Sequence, residues 1–115
     1  MKSESWLKKS AEFQRVFNIG QKIIIKGTAL AFIADGNLPK SRAGIVVPAK
    51  LGTAVERNKI KRRFREVFIA LRNRFNRPFD IVFLPNRQTK FLKTENIKVA
   101  VNRALQHIGS LRSHE

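Results

Sequence analysis

The densest positive charge in the sequence lies between residues 52 and 75. Successive residues of a helix are about 100° apart, so several of these cations would share one flank, while Lys59 and Arg63 would fall on the far side. Arginine presents a planar fork of donors that fits phosphate oxygens and base edges, and an asparagine adds a donor and an acceptor among the cations. We call this flank the basic ridge; its members are Asn58, Lys61, Arg62, Arg65 and Arg72.

The same charges could simply form the solvated side of a surface helix, because lysine and arginine are good helix formers. A solvated helix usually mixes signs and gains from Glu–Lys pairs four residues apart. The only acids in this segment are Glu56 and Glu66. Unneutralised positive charge repels itself, so the ridge favours an anionic partner, and its residue types favour a polyphosphate.

The helix that must carry the ridge has clear start and stop signals. Thr53 and Glu56 have the spacing of a capping box, in which each side chain accepts the backbone amide of the other residue. The helix is therefore predicted to begin at Ala54 and to reach Phe75, since residues 76–78 end in a proline, which a helix avoids. Its apolar residues share one stripe that we expect to be core: Ile60, Phe64, Val67, Phe68, Leu71 and Phe75.

Apolar runs in the rest of the chain predict two further helices and four strands. A first helix would span residues 11–19, capped by Ser10 and stopped by Gly20, and a last helix would span residues 94–111. The strands flanking the long helix could lie parallel. The order αβββαβα predicts an α+β fold, a small four-stranded mixed sheet packed with three helices. The strands are predicted at residues 22–26, 28–34, 43–47 and 79–84.

Length and charge indicate a single RNA-binding or DNA-binding domain. A chain of 115 residues is long enough for one core. The net charge of +16, from 24 Lys and Arg against 8 Asp and Glu, is typical of a nucleic-acid binder. The cations lie within segments that also have ordered apolar patterns, so we expect one domain over residues 1–115. Residues 1–9 are polar and are expected to be loosely held, with Trp6 and Leu7 as a packing tether.

Several classes of protein are disfavoured. There are no cysteines, which excludes disulfides and thiolate sites and fits a reducing compartment. No apolar run approaches the roughly 20 residues that span a membrane, and Lys8 and Lys9 interrupt any signal peptide, so a cytoplasmic location is expected. The acids form no paired motif that could hold catalytic metals, and His107 and His114 have no evident partner. A nuclease whose protein performs the chemistry is therefore not favoured.

The basic segment resembles a known signature. Residues 50–62, KLGTAVERNKIKR, together with Arg65, are similar to the signature of the bacterial ribonuclease P protein family, an Arg-Asn-Arg-like core followed by Ile/Val-Lys-Arg. Residues 7–9 and 12–20 resemble the N-terminal segment of that family, and the order of elements is also the same. One difference is Lys59, which stands where the family has the second arginine of the core.

The resemblance implies the small subunit of a ribonucleoprotein that removes the 5′ leader from precursor tRNA, with the catalytic centre and bound Mg²⁺ in the RNA subunit. It also implies a left-handed strand–helix–strand crossover, against the usual right-handed default. No catalytic residue and no metal are expected in the protein, and no membrane or DNA partner. The residues implied to dock on the catalytic RNA are Lys50, Arg57, Asn58, Lys61, Arg62 and Arg65.

The resemblance further implies a leader-binding cleft between the first helix and the sheet. Phe13, Phe17 and Phe32 would line it, and Arg15 would contact the RNA backbone. Aromatic rings beside cations suit an unpaired strand, because its bases can stack on the rings. Phe13 and Phe17 could instead belong to the core.

Two other functions remain possible on sequence grounds. A structural RNA-binding protein, such as a ribosomal protein, fits the composition equally well. Such a protein would not change the cleavage of precursor tRNA by a catalytic RNA. DNA binding by the central helix is less favoured, because the apolar stripe is committed to the sheet and leaves only a flank exposed.

Overall fold

The fold follows the predicted order of elements. A computed structural model describes residues 5–25, 28–35 and 37–107. These residues confirm the α+β class and the order αβββαβα. The elements are α1 (Ser10–Ile19), β1 (Gln21–Ile25), β2 (Thr28–Ala34), β3 (Arg42–Ile45), α2 (Ala54–Leu71), β4 (Phe79–Pro85) and α3 (Thr94–His107), with short 3-10 turns at Ala49–Leu51, Arg72–Arg74 and Arg87–Phe91.

The four strands form one mixed sheet in the order β1-β2-β4-β3. β1 pairs antiparallel with β2, and β2 pairs antiparallel with β4. β3 pairs parallel with β4, as expected for two strands joined by a long helix. β4, the last of the four strands in the sequence, therefore lies inside the sheet. The left-handed crossover from β3 through α2 to β4 stays a prediction.

The main core lies between the sheet and the pair α2 and α3. Every residue of the predicted apolar stripe of α2 is buried there, against Phe83 of β4 and Leu30 of β2 among others. Phe64 lies at the centre of this layer, with its ring centroid 5.3 Å from that of Phe83. Burying a side chain of this size stabilises the fold by about 1.5–3 kcal/mol, so this stripe fixes α2 on the sheet.

α1 packs on the opposite face of the sheet, against β2 and β4. Val16 is fully buried there with Leu7, Ala31 and Val82. The alternation of strand residues explains the division, because neighbouring positions such as 30 and 31 point to opposite faces. The molecule therefore has helices on both faces of the sheet.

The ends of several elements differ from the prediction. Ser10 does not cap α1: it is already helical, and Lys9 precedes the helix. The carboxylate of Glu12 takes the capping role, because it accepts the backbone amides of Lys8 and Lys9 at 2.8 and 2.9 Å. α2 ends at Leu71 rather than at Phe75, since a tighter 3-10 turn follows it.

The strand bounds also shift by a few residues. β1 spans residues 21–25 and β3 spans residues 42–45, whereas 22–26 and 43–47 were predicted, and β4 extends to Pro85. Residue 26 and the predicted continuation of α3 from 108 to 111 lie outside the described residues.

The N-terminal segment is more firmly packed than the sequence suggested. Ser5 and Leu7 are buried. Trp6 forms a parallel bridge with Ala43, and the amide of Leu7 donates to the carbonyl of Ala43 at 2.8 Å. The predicted tether is thus present, and it holds residues 5–7 along the outer edge of β3; residues 1–4 lie outside the described residues.

Candidate nucleic-acid interface

The N-terminus of α2 is built as the sequence predicted. The hydroxyl of Thr53 accepts the amide of Glu56 at 3.2 Å, and the carboxylate of Glu56 accepts the amide of Thr53 at 2.9 Å. Gly52 precedes the cap with a φ of 147°, a conformation that favours glycine. The capping box therefore fixes where the helix begins and how its flanks are oriented.

The basic ridge lies beside the buried stripe of α2 and remains accessible. Asn58, Arg62 and Arg65 are exposed, and Lys61 is half-buried. Among the described residues, no acid lies within 4.0 Å of a ridge cation. Arg72 ends the ridge at the margin of the core, where two of its guanidinium nitrogens are buried without a hydrogen-bond partner in the described part of the chain. The ridge thus presents positive charge that the fold leaves uncompensated.

Lys50 and Arg57 extend this surface toward the connection that precedes α2. Lys50 is exposed on the 3-10 turn Ala49–Leu51. Arg57 is half-buried, and its Nε donates to the carbonyl of Gly52 at 3.2 Å. This bond turns the guanidinium of Arg57 back toward the strand-to-helix loop, so the two cations lie at the same end of the helix.

Trp6 packs against the basic ridge, and no sequence pattern predicted this contact. The guanidinium carbon of Arg65 lies 5.8 Å from the centroid of the Trp6 ring, within range of a cation–π interaction. Trp6 in turn packs on Phe68 of α2, with ring centroids 5.5 Å apart. The N-terminal segment therefore restricts the orientation of a ridge arginine.

A small groove joins α1, β3 and α2. Its volume is about 120 Å³, and its walls include Phe13 on one side and the ridge residues Lys61 and Arg65 on the other. Gly44 forms the floor beneath Phe13: a Cβ at that position would lie 2.6 Å from Cζ of the Phe13 ring. The absence of a side chain at Gly44 thus lets the aromatic ring lie against the sheet.

Phe17 has a similar environment one turn further along α1. It is half-buried against the α1 face of the sheet, and the ammonium of Lys22 lies 5.9 Å from its ring centroid. Neither Phe13 nor Phe17 is fully buried, so both rings combine a packed edge with an accessible one.

Phe32 does not line the predicted cleft. Its side chain points to the α2 and α3 face of the sheet, opposite α1, and is only 5% exposed. It packs edge-on against Phe79, with ring centroids 6.2 Å apart. The alternation of β2 explains the error, because residues 31 and 33 face α1 and residue 32 therefore faces the main core.

Arg15 belongs to a network of ion pairs centred on Asp80. It contacts Asp35 at 2.9 Å and Asp80 at 3.3 Å. Arg42 donates to both carboxylate oxygens of Asp80, at 2.9 and 2.8 Å, and to Glu12 at 2.9 Å. Arg15 keeps about a third of its side chain exposed, so part of its charge is already compensated within the fold. Four distant sequence segments supply this network, and no local pattern pointed to it.

Two groups at this network have shifted pKa values. The backbone amides of Lys9 and Lys8 lower the pKa of Glu12, and the charge of Arg42 adds to the effect. The hydrogen bonds of Arg42 to Asp80 raise the pKa of that guanidinium, which therefore stays charged. The cap of α1 and the buried carboxylate are thus electrostatically linked through Arg42.

The described residues contain neither a cluster of metal ligands nor a membrane-spanning helix. Within residues 5–25, 28–35 and 37–107, no three His, Cys, Asp or Glu side chains come together as metal ligands. In the same ranges, no helix has the length and apolar character needed to cross a lipid bilayer.

Comparisons with known proteins agree on one family. The family model described as Ribonuclease P matches residues 1–109. The chain is 32% identical over 108 residues to the ribonuclease P protein component of Bacillus pumilus, covering 94% of this chain and 87% of that protein. It is 33% identical over 105 residues to the ribonuclease P protein component of Fusobacterium nucleatum, covering 88% and 94%.

Solved structures show the same similarity in three dimensions. The RNase P protein of Staphylococcus aureus superposes with a TM-score of 0.83 at 29% identity, over 94% of this chain and 98% of that one. The RNase P protein of Thermotoga maritima superposes with a TM-score of 0.78 at 27% identity, over 88% and 94%. The likeness therefore extends over almost the whole of each chain.

Proposed function

Because the chain belongs to the ribonuclease P protein family, we propose that it binds a catalytic RNA and assists that RNA in removing the 5′ leader of precursor tRNA. The chemistry would take place in the RNA subunit, which would hold the Mg²⁺ ions that promote phosphodiester hydrolysis. The protein would supply binding and orientation, and the complex would act in the cytoplasm.

The observation that carries this proposal is the unpaired basic ridge. Its cations have no acidic partner within salt-bridge distance among the described residues, although the fold pairs arginines elsewhere, around Asp80. Phosphates of a folded RNA would neutralise them and release counterions, which favours binding. The residues proposed to dock on the RNA subunit are Lys50, Arg57, Asn58, Lys61, Arg62 and Arg65.

The groove beside the ridge is the proposed path of the leader. Phe13 and Phe17 offer partly accessible rings, on which unpaired bases can stack. Lys61 and Arg65 form the opposite wall of the groove at Phe13, so they could reach both the leader and the RNA subunit. Arg15 would contact a leader phosphate with the exposed third of its side chain, and Phe32 is no longer assigned to this site.

Mechanistically, the protein would lower the concentration of Mg²⁺ that the RNA requires. Fixed cations replace diffuse ions that would otherwise be needed to hold two polyanions together. The aromatic groove would at the same time favour substrates that still have a leader. Both effects act on binding and orientation, and neither requires a catalytic group in the protein.

The test is reconstitution with a bacterial ribonuclease P RNA at limiting Mg²⁺. We expect the chain to accelerate 5′ cleavage of precursor tRNA, and the double variant Arg62→Ala/Arg65→Ala to lose this effect until Mg²⁺ is raised. A matched control is Lys98→Ala/Arg103→Ala, which removes two exposed cations from α3. If the unmodified chain binds RNA but leaves cleavage unchanged, it is a structural RNA-binding protein and the proposal is wrong.

A further inference from the structure

The 3-10 turn Arg87–Phe91 displays the most exposed large apolar side chain found among the described residues. Phe91 is 86% exposed. Exposing a phenylalanine to water forgoes the stabilisation that its burial would give. The ring is also remote from the groove at Phe13, because this turn follows β4 and contacts the other flank of α2. Its exposure is therefore not explained by the proposed leader site.

The turn that presents Phe91 is firmly built. The side chain of Asn86 accepts the amide of Gln88 at 2.9 Å, and the hydroxyl of Thr89 accepts the amide of Asn86 at 3.1 Å. Thr89 is fully buried, and Leu92 packs against the main core immediately after the exposed ring. Phe91 is thus held outward between two anchored residues.

Two side chains of α2 fasten this turn to the flank opposite the basic ridge. Arg63 donates to the carbonyls of Thr89 and Leu92, at 3.4 Å each. Glu56 contacts the ammonium of Lys90 at 3.5 Å. Lys59 is exposed, and it lies three residues after Glu56 and four before Arg63, which places it on the same flank. Lys59 therefore faces the side of α2 on which Phe91 is displayed.

The charge around Phe91 indicates the class of partner. Residues 86–93, NRQTKFLK, contain three cations and no acid. Arg87, Lys90 and Lys93 are all exposed, and Lys90 alone of the three forms an ion pair with an acid in the described part of the chain, Glu56. An apolar protein partner would have to bury these cations, whereas an unpaired nucleotide can stack its base on the ring while its phosphates meet the lysines.

We propose that Phe91 stacks an unpaired base of the partner RNA, with Lys59, Lys90 and Lys93 contacting the adjacent phosphates. This inference rests on the proposed function, because it adds a second region of the protein surface to the one proposed to bind the RNA subunit. Both flanks of α2 would then bind RNA, and Lys59 would have a role that its position away from the ridge had left unassigned.

The experiment measures the affinity of the full chain for a bacterial ribonuclease P RNA at fixed salt. Replacing Phe91 by alanine should weaken binding about 5-fold or more, the typical effect of losing one stacked base. Phe91→Trp should retain or raise the affinity, while Phe91→Leu should behave like alanine, because leucine keeps the apolar bulk but lacks an aromatic face. Lys59→Ala should reduce the salt dependence of binding by about one unit of slope.

Matched controls are Val99→Ala, an exposed apolar residue of α3, and Lys98→Ala, an exposed lysine beside it. Both should bind as the unmodified chain does. The inference is overturned if Phe91→Ala binds equally well, if Phe91→Leu retains the affinity, or if Phe91 only mediates self-association in sedimentation. If the unmodified chain itself fails to bind this RNA, the proposed function has failed and the inference falls with it.

Discussion

Asp80 is a carboxylate that the fold buries completely and surrounds with arginine. Arg42 binds it through two parallel hydrogen bonds, and Arg15 adds a longer one. A bidentate pair of this kind is among the stronger polar contacts in proteins. Because Asp80 lies in β4, next to β3 and facing α1, the contact ties three elements together.

We expect Asp80→Ala to lower the free energy of unfolding by about 3 kcal/mol, because it removes one partner of a buried ion pair and leaves Arg42 partly desolvated. Urea unfolding monitored by circular dichroism would measure the change. Arg87→Ala, which alters an exposed cation, is the control and should be near neutral. A loss below about 1 kcal/mol would show that water compensates Arg42.

Gly44 offers a way to move Phe13 without removing it. A methyl group at this position would overlap the Phe13 ring, which can respond by swinging away from the sheet. We therefore expect Gly44→Ala to reduce the preference for leader-bearing over mature tRNA, as Phe13→Ala should, while binding of the RNA subunit stays intact. Competition binding of the two substrates would measure the preference.

The control for this prediction is a measurement of whether each variant is folded. If Phe13→Ala unfolds the chain, as judged by circular dichroism, the ring of Phe13 is a core residue and the leader assignment is wrong. An unchanged preference in a folded variant would also count against that assignment.

At the scale of elements, the sequence predicted which segments are helical, but it predicted the first and last residues of those helices less well. The stripe of α2 and its capping box are local patterns, and both were found where the sequence placed them. The predicted cap of α1 was wrong because the helix already includes Ser10, and Glu12 instead accepts the backbone amides of Lys8 and Lys9. Phe32 was misplaced for a similar reason: a strand pattern defines two faces but does not say which helix covers each.

The cap of α1 should make stability depend on pH. The pKa of Glu12 is lowered in the folded chain, so the carboxylate stabilises the fold above its unfolded pKa, and this contribution is lost as the pH falls through the folded value. Glu12→Gln keeps the oxygen that accepts the capping amides but removes the charge, so it should cost about 0.5–1 kcal/mol at neutral pH and progressively less below about pH 4.5.

Unfolding by urea at several pH values would test this expectation. Glu66→Gln, which makes the same substitution on the exposed side of α2, is the matched control. A difference between Glu12→Gln and the unmodified chain that stays constant from neutral to acidic pH would contradict the electrostatic role of the cap.

At the scale of the whole molecule, charge was the most informative property of the sequence. The net charge of +16 pointed to nucleic acid before any element was placed. The brace between Trp6 and Arg65 and the network at Asp80 could not be predicted, because each joins residues that are far apart in the chain. The groove at Phe13 likewise depends on Gly44, whose role appears only when α1 lies on the sheet.

The salt dependence of RNA binding should show directly how many phosphate contacts the basic ridge makes. Each lost phosphate contact lowers the slope of log affinity against log salt by about one unit, so Arg62→Ala/Arg65→Ala should lower it by about two. Titration of a ribonuclease P RNA at several salt concentrations would measure the slope. Lys98→Ala/Arg103→Ala should leave it unchanged, and an equal fall in both variants would mean that only net charge matters.

The position of β4 has a consequence for how this protein is made. β4 is the last strand to be synthesised, yet it joins β2 to β3 in the finished sheet. A nascent chain that has not reached Phe79 contains the β1–β2 hairpin, β3 and α2, but it lacks the strand that joins β2 to β3. The native sheet therefore cannot form until β4 has left the ribosome, and until then the apolar stripe of α2 has no sheet to pack against.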